Sequence, residues 1–249
     1  MNELARLADL ETEVHVQCVE LTATRETIER VLSILSSAER ERASRFYFQH
    51  ISDRFILARA ALRALLGRYL SVSPEHLEFE YGPQGKPLVT LPKTGLEFNL
   101  SHSGAFAAYA FTMAREVGID IEQIRPMRDC EAIARRFFGE SECADLFSLP
   151  EPERTAAFYR CWVRKEAYIK ALGGGLSIPL DSFRVSLKPG ERPALLEVRG
   201  AAPEAQHWAM HEFYVAPNLD GAITFRDATK SVRVTARLTA EELLRDIVK

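Results

Sequence analysis

The order in which strand-like and helix-like segments follow one another limits the folds open to this chain more than any other feature. Residues 13–21 alternate between apolar and polar side chains, as a strand does. Ser36 and Glu39 form a capping-box pattern that predicts a helix through Phe46. Residues 51–70 then carry apolar side chains at helical spacing. Short strands are predicted to follow at 77–81, 96–104 and 105–113.

The second part of the chain repeats this order. A strand pattern over 116–124 precedes helical segments at 131–137 and 151–172, and the longer of these ends at three glycines. Further strands are predicted near 183–187, 194–199, 207–216, 221–227 and 231–238, before a final helix from Ala240. The doubled order predicts an α+β fold of two similar halves, 1–115 and 116–249, each with a small, mostly antiparallel sheet packed on helices.

The composition excludes several classes of protein. The chain has 249 residues, of which 47% are apolar and 27% charged, as in ordinary globular proteins. A net charge of −3 gives no general attraction to nucleic acid. The start of the chain lacks the pattern of a signal peptide, and its most apolar run, 105–114, is too short to cross a bilayer. The four cysteines have no C-x-x-C spacing. We therefore expect a cytoplasmic protein without nucleic-acid or membrane partners.

The segment "GIDIE", residues 118–122, puts two carboxylates on one face of a strand. Because alternate residues of a strand share a face, Asp120 and Glu122 point to one side and Ile119 and Ile121 to the other. Two like charges repel, but a divalent cation between them would make the arrangement favourable, and oxygen ligands suit Mg²⁺. The alternative is a half-exposed edge strand whose two acids are only solvated.

The helix predicted over 151–172 carries a third carboxylate. Trp162, Glu166 and Lys170 are spaced four residues apart, so they lie along one stripe. Together with the two-acid strand, this stripe has what a metal-assisted phosphoryl site requires. The acids can hold the metal, the lysine can balance phosphate charge, and one carboxylate can act as a base. The alternative is a packed tryptophan beside an ordinary Glu–Lys helix pair.

Other polar residues could bind phosphate groups. "FNLSHSG" places Ser101 and His102 at a strand end before a small-residue turn, where a hydroxyl, an imidazole and backbone N–H groups can meet an anion. Lys86 lies between turn residues, and Arg54 lies on the first long helix with Arg42 upstream. The alternatives are a structural histidine, an exposed hairpin turn and solvated arginines.

Four motifs, "GKP", "FNLSHSG", "GIDIE" and "WVRKEAYIKALGGGL", resemble in type and order those of the 4′-phosphopantetheinyl transferases, in the surfactin-type, single-chain branch. The resemblance runs from about Arg42 to Asp181. It implies a monomeric pseudo-dimer of two α+β halves with the active site at their interface. It also implies transfer of 4′-phosphopantetheine from coenzyme A to a serine of an apo acyl or peptidyl carrier protein, with release of 3′,5′-ADP. The carrier could serve fatty-acid, polyketide, nonribosomal-peptide or another biosynthesis.

The resemblance also implies a role for individual residues. Asp120, Glu122 and Glu166 match the acidic ligands of Mg²⁺, which Mn²⁺ could replace. Glu166 matches the group that takes the serine proton, and Lys170 matches the lysine on a coenzyme A phosphate. Coenzyme A contacts are implied for Arg42, Arg54, Lys86, Ser101, His102, Asp120, Lys165 and Lys170. At Glu39 some members carry a basic residue that contacts the nucleotide, so the 3′-phosphate is expected to rely on Arg42 or Arg45 instead.

A docking surface for the carrier protein is predicted between "GIDIE" and the long helix. The resemblance implies an acidic carrier helix, and the net charge of −3 leaves a local basic patch as the only electrostatic attraction. Ile133 and Phe137 would form an apolar stripe there, beside basic side chains at Arg125, Arg128, Arg135 and Arg136. The alternative is that Phe137 and Phe138 belong to the core and the arginines are merely solvated.

Two other functions are compatible with these residues. A Mg²⁺-dependent phosphodiesterase could use the same acids to hydrolyse nucleotides. A non-catalytic carrier-protein binder would be expected to have lost at least one of the three acids, and all three are present.

Overall fold

The computed structural model describes residues 6–201 and 203–247 and has a mixed α+β fold with small antiparallel sheets and helices, as predicted. Within that part of the chain the α-helices are α1 (Arg25–Val31), α2 (Ser37–Ser44), α3 (Gln49–Leu70), α4 (Cys130–Phe137), α5 (Glu140–Phe147), α6 (Glu151–Leu172) and α7 (Ala240–Leu244). The strands are β1 (Glu13–Glu20), β2 (Glu78–Tyr81), β3 (Pro87–Leu91), β4 (Leu96–Ser103), β5 (Phe106–Met113), β6 (Val117–Gln123), β7 (Phe183–Val185), β8 (Leu195–Val198), β9 (Trp208–Ala216), β10 (Leu219–Arg226), β11 (Ser231–Val234) and β12 (Leu238–Thr239).

The larger sheet has the strand order β11-β1-β5-β4, with β12 also on β1. Strands β1, β5 and β4 are antiparallel neighbours, whereas β11 and β12 run parallel to β1. Strands from the C-terminal end of the chain therefore complete the sheet in which β1 lies. The division into halves at residue 115 stays a prediction.

A smaller sheet, β6-β10-β9, packs against the larger one. Alternate residues of β1 (Val14, Val16 and Cys18) and of β6 (Val117, Ile119 and Ile121) are buried in the same apolar cluster between the sheets. Helix α3 covers the other face of the larger sheet, and α6 covers the other face of the smaller one. The chain therefore forms layers in the order α3, larger sheet, smaller sheet and α6.

The local sequence accounts for the buried face of α3 and for the end of α6. Helix α3 buries Leu62, Leu66 and Tyr69, which are four and three residues apart and so share one helix face. Helix α6 ends where predicted, at Gly173, whose φ of 72° is in the left-handed region that glycine adopts without steric cost. None of the helices in the described ranges is both long enough and apolar enough to cross a membrane.

The predicted capping box at the start of α2 is confirmed. The Ser36 hydroxyl accepts from the Glu39 N–H at 3.2 Å, and the Glu39 carboxylate accepts from the Ser36 N–H at 2.9 Å. The same carboxylate is buried and accepts at 2.8 Å from each of Arg59 and Arg63 on α3. Glu39 therefore joins α2 to α3, which gives the acidic residue at this position a structural role.

Candidate active site

A pocket of about 900 Å³ lies among α3, β4, β6 and α6. The residues that line it are far apart in the sequence, and their motifs predicted them as site residues. These lining residues are Arg42, Arg54, Lys86, Ser101, His102, Asp120, Glu122, Glu166 and Lys170. The layered fold therefore brings nine of the ten predicted site residues to one pocket.

Asp120 lies at the centre of the polar contacts in this pocket. Its carboxylate is buried, and Oδ1 accepts from the Ser101 hydroxyl at 2.8 Å and from the Lys170 ammonium at 2.5 Å. Lys170 also donates to Ser101 Oγ at 3.1 Å. The second oxygen, Oδ2, is buried and has no hydrogen-bond partner among the described residues. One oxygen of Asp120 is thus held in place while the other is left for a further cation or donor.

Glu122 and Glu166 lie close enough to Asp120 to feel its charge. Burial raises the pKa of Glu122, and the negative charge of Asp120 raises it further. Burial, followed by the charge of Asp120, raises the pKa of Glu166 to about 7, although Lys170 opposes this shift. The three carboxylates, two on a strand and one on a helix as predicted, are therefore close enough to act on one another electrostatically.

The carboxylates of the pocket are possible ligands of a divalent cation. In the described ranges, no three His, Cys, Asp or Glu side chains form a group that could hold a metal ion by themselves. Mg²⁺, however, is usually bound by one or two carboxylates together with waters and the phosphates of a substrate. The buried Oδ2 of Asp120, which has no partner in the part of the chain that the structure describes, and the nearby carboxylate of Glu122 suit that mode of binding. These residues therefore fit Mg²⁺ or Mn²⁺.

Gly118 allows the strand with the two acids to lie directly against α6. A Cβ atom at this position would be 2.0 Å from the carbonyl oxygen of Ala167 and 2.3 Å from the backbone nitrogen of Ala171. Any larger residue would push β6 away from the helix that carries Glu166 and Lys170. The glycine of "GIDIE" is therefore a packing requirement, which the alternation of the strand did not reveal.

Lys165 is the one predicted site residue that lies elsewhere. Its side chain is completely buried, pairs with Glu142 at 2.7 Å and donates to the carbonyls of Leu180 and Phe183, each at 2.7 Å. Successive helix residues point about 100° apart, so Lys165 faces the core on one side of α6 while Glu166 faces the pocket. The coenzyme A contact that the resemblance implied for Lys165 does not fit this placement.

Lys86 lines the pocket, but its ammonium is already engaged. It donates to the carbonyl oxygens of Val117 at 3.1 Å and Ala171 at 3.3 Å, and burial lowers its pKa. These carbonyls belong to the start of β6 and the end of α6, so Lys86 links the two elements that carry the acids. This contact was not evident from the turn in which Lys86 lies.

The predicted docking surface is only partly exposed. Phe138 is buried in the core, and Phe137 is half-buried with its ring edge-on to that of Trp162 at a centroid distance of 6.1 Å. The alternative of core phenylalanines is therefore correct for Phe138 and partly correct for Phe137. Arg135 and Arg136 are exposed on α4.

Arg125 and Asn99 also contribute to the pocket. Arg125, predicted for the docking surface, is exposed, lines the pocket and donates to the side chain of Gln123 at 2.8 Å. Asn99 also lines the pocket, and its side-chain oxygen accepts from the N–H of Ile119 at 2.9 Å. Asn99 was not predicted as a site residue, although it alternates with Ser101 and Ser103 in "FNLSHS", a pattern that indicates a polar strand face.

Known proteins match the chain over most of its length. A sequence model of the 4′-phosphopantetheinyl transferase superfamily matches residues 116–226, and one described as 4′-phosphopantetheinyl transferase, N-terminal, matches residues 20–114. The 4′-phosphopantetheinyl transferase HetI of Nostoc sp. is 38% identical over 216 residues, which cover 86% of this chain and 88% of HetI. The transferase Sfp of Bacillus subtilis is 38% identical over 165 residues, which cover 66% of this chain and 71% of Sfp.

A solved structure overlaps with a smaller part of the chain. The holo-[acyl-carrier-protein] synthase of Thermotoga maritima has a TM-score of 0.36 and 23% identity, and the match covers 45% of this chain and 62% of that one. The assignment rests on the sequence relatives, whose identity and coverage are much higher. The chain belongs to the 4′-phosphopantetheinyl transferase superfamily, in its Sfp-type branch.

Proposed function

We propose that this chain transfers the 4′-phosphopantetheine group of coenzyme A to a serine hydroxyl of an apo acyl or peptidyl carrier protein and releases 3′,5′-ADP. One observation carries the proposal: Asp120, Glu166 and Lys170, from a strand and a helix, meet in one pocket. A volume of about 900 Å³ lies within the usual range for pockets that bind small molecules and cofactors. The family membership of the chain supports the same reaction.

The basic residues of the pocket would bind the phosphates of coenzyme A. Arg42, Arg54 and His102 line the pocket together and carry the charge or the donors that a 3′-phosphate requires. Lys170 lies among the carboxylates and would bind the pyrophosphate. Lys86 would support this part of the pocket through the carbonyls that its ammonium already contacts.

Asp120 and Glu122, with Glu166 beside them, would hold Mg²⁺ or Mn²⁺. When bound, such an ion neutralises charge on the pyrophosphate and on the departing phosphate oxygen. The residues of the chain account for the remaining roles. Ser101 and Lys170 hold Oδ1 of Asp120, which leaves Oδ2 for the ion.

The side chains that face the pocket would carry out the transfer of the phosphopantetheine group. The serine oxygen of the carrier protein attacks the β-phosphorus of coenzyme A, and the bond from that phosphorus to the oxygen of 3′,5′-ADP breaks. Glu166 faces the pocket and takes the proton of the serine hydroxyl. The Lys170 ammonium stabilises the negative charge on the leaving oxygen.

The organisation of the pocket supports two further predictions about the chain. Helix α3 and β4 precede residue 116, and β6 and α6 follow it, so we propose that the site lies between the two predicted halves. One chain supplies all of these groups, which supports a monomeric enzyme.

The four cysteines are unpaired, and we propose a cytoplasmic location because thiols stay reduced there.

The carrier protein would dock beside the pocket on α4. Arg135 and Arg136 are exposed there, and Ile133 and Phe137 remain half-buried between this surface and the core. An acidic helix of the carrier would gain from the two exposed positive charges.

Incubation with coenzyme A and a panel of apo carrier proteins, followed by intact-mass measurement, tests the proposal. A mass gain of one phosphopantetheine group on the carrier, lost in excess chelator and restored by Mg²⁺ or Mn²⁺, is expected. Release of 3′,5′-ADP without any carrier would instead support a phosphodiesterase. Carrier binding without a mass change would support a non-catalytic binder.

A further inference from the structure

Strand β6, which carries Asp120 and Glu122, is held on one side by side chains. Among the described strands it forms a backbone ladder with β10, while β4 lies along its other edge without one. Backbone N–H groups at a buried edge need partners. The side chain of Asn99 accepts from the N–H of Ile119 at 2.9 Å, and that of Ser103 accepts from the N–H of Gln123 at 3.1 Å.

Three side chains of β4 form this contact, and we call them the polar seam: Asn99, Ser101 and Ser103. They are two residues apart, so they share one face of β4. Besides the backbone groups of β6, the seam contacts both of its carboxylates. Ser101 donates to Asp120 at 2.8 Å, and Ser103 donates to Oε2 of Glu122 at 3.0 Å. The seam therefore fixes the register of β6 and the orientation of its acids together.

Ser103 differs from Ser101 in its relation to the pocket. Ser101 lines the pocket, whereas Ser103 is not among the lining residues. The Ser103 hydroxyl uses its acceptor capacity on the backbone of Gln123 and its single proton on the adjacent Glu122. A glutamate side chain has several rotatable bonds, so a donor anchored to the neighbouring backbone removes much of that freedom.

We propose that Ser103 is a positioning residue that orients the Glu122 carboxylate for a divalent cation. The inference rests on the proposed function, because it takes Glu122 as a ligand of that cation. Ser103 acts through Glu122 and does not itself contact coenzyme A. Partners of this kind behind a metal ligand typically change metal affinity by about 10- to 100-fold when they are removed.

The test compares Ser103→Val with Ser103→Thr, two side chains of nearly the same shape that differ in the hydroxyl. Mn²⁺ serves as the probe, and its binding to the full chain with coenzyme A is followed by electron paramagnetic resonance. We expect about tenfold weaker Mn²⁺ binding in Ser103→Val and near-normal binding in Ser103→Thr. The KM for coenzyme A should be nearly the same in both. Ser148→Ala is the control and should bind Mn²⁺ as the wild type does, because the Ser148 hydroxyl donates to the backbone carbonyl of Asp145 at an exposed helix end.

The outcomes separate this inference from the proposed function. Equal Mn²⁺ affinity in folded Ser103→Val and Ser103→Thr, with transfer by the wild type, would overturn the role of Ser103 alone. A higher KM for coenzyme A at unchanged Mn²⁺ affinity would also overturn it, because Ser103 would then act on the other ligand. A wild-type protein that binds no Mn²⁺ would remove the basis of both. Ser103→Ala provides a second hydroxyl-free variant should Val disturb the seam, and the same weakening is expected of it.

Discussion

The ammonium of Lys170 lies 2.5 Å from Oδ1 of Asp120, so the carboxylate at the centre of the pocket already has one positive partner. The pair connects α6 to β6 across the pocket. The other oxygen, Oδ2, is buried as well and has no hydrogen-bond partner within the described ranges. Lys170 therefore reduces the electrostatic repulsion among the crowded carboxylates, while Oδ2 of Asp120 remains available to a ligand.

Asp120→Ala should abolish transfer and leave the fold intact. The change removes the proposed metal ligand, but it also removes one of three mutually repelling carboxylates, so loss of the partly exposed Lys170 pair is offset. We therefore expect the metal-free variant to remain folded. Transfer is measured by intact mass of the carrier, and stability by urea unfolding. Turnover by the wild type in excess chelator would contradict the metal role.

Gly118→Ala should destabilise the protein strongly, because the new methyl group would overlap backbone atoms of α6 at 2.0 and 2.3 Å. Overpacking of this kind costs about 1–3 kcal/mol or more, and backbone atoms cannot move aside as a side chain can. Gly82→Ala is the control, since its methyl group would meet its nearest neighbour at 3.7 Å. Urea unfolding measures both variants. Equal stability of the two would show that β6 and α6 can separate without cost.

Glu39→Gln should weaken the contact between α2 and α3. The carboxylate is buried between Arg59 and Arg63, and its neutralisation leaves two buried guanidinium groups without their anion. Breaking a buried ion pair costs about 3–5 kcal/mol. Glu41→Gln, in the same helix, removes only an exposed pair with Arg45 and should cost less than about 1 kcal/mol. Similar unfolding free energies for the two variants at neutral pH would contradict the structural role of Glu39.

The same contact should make stability depend on pH. Burial alone would raise the pKa of Glu39, but the charge of Arg59, the N–H of Ser36 and the charge of Arg63 together lower it below its ordinary 4.5. Because the folded pKa is below the unfolded one, the stabilisation is fully present above 4.5 and is lost as the pH falls through the folded value. In acid, the difference in unfolding free energy between the wild type and Glu39→Gln should therefore shrink.

His102→Ala should weaken the binding of coenzyme A more than that of 3′-dephospho-coenzyme A. The imidazole lines the pocket beside Arg42, where we propose that the 3′-phosphate binds. A hydrogen bond to a charged group contributes about 1.5–3 kcal/mol, which corresponds to about ten- to a hundred-fold in affinity. Calorimetric titration of both ligands measures the difference. Equal losses would assign His102 a structural role.

Replacing Arg135 and Arg136 together by Glu should raise the KM for the carrier protein and leave that for coenzyme A nearly unchanged. Both side chains are exposed on α4, outside the pocket. Exposed charges act mainly on the rate of association, and salt screens them. The effect should therefore shrink between low and high ionic strength in steady-state assays. An unchanged carrier KM at low salt would place the docking surface elsewhere.

The sequence by itself determined features that depend on local periodicity. The period of two in a strand put Asp120 and Glu122 on one face, and both now line the pocket. The helical period put Glu166 and Lys170 on one face of α6, and that helix ends at the glycine where its end was predicted. The capping box also followed from four neighbouring residues. The family resemblance supplied the reaction.

Only the tertiary structure decided which distant groups meet. The buried ion pair of Lys165 follows from no local pattern, because its partner Glu142 lies in α5, a helix that was not predicted from the sequence. Likewise, β11 and β12 pair with β1 from about 220 residues further along the chain. The polar seam and the contact of Gly118 with α6 depend on how whole sheets and helices pack. Local periodicity fixes the direction of a side chain within its own element, whereas its partner depends on the packing of all the elements together.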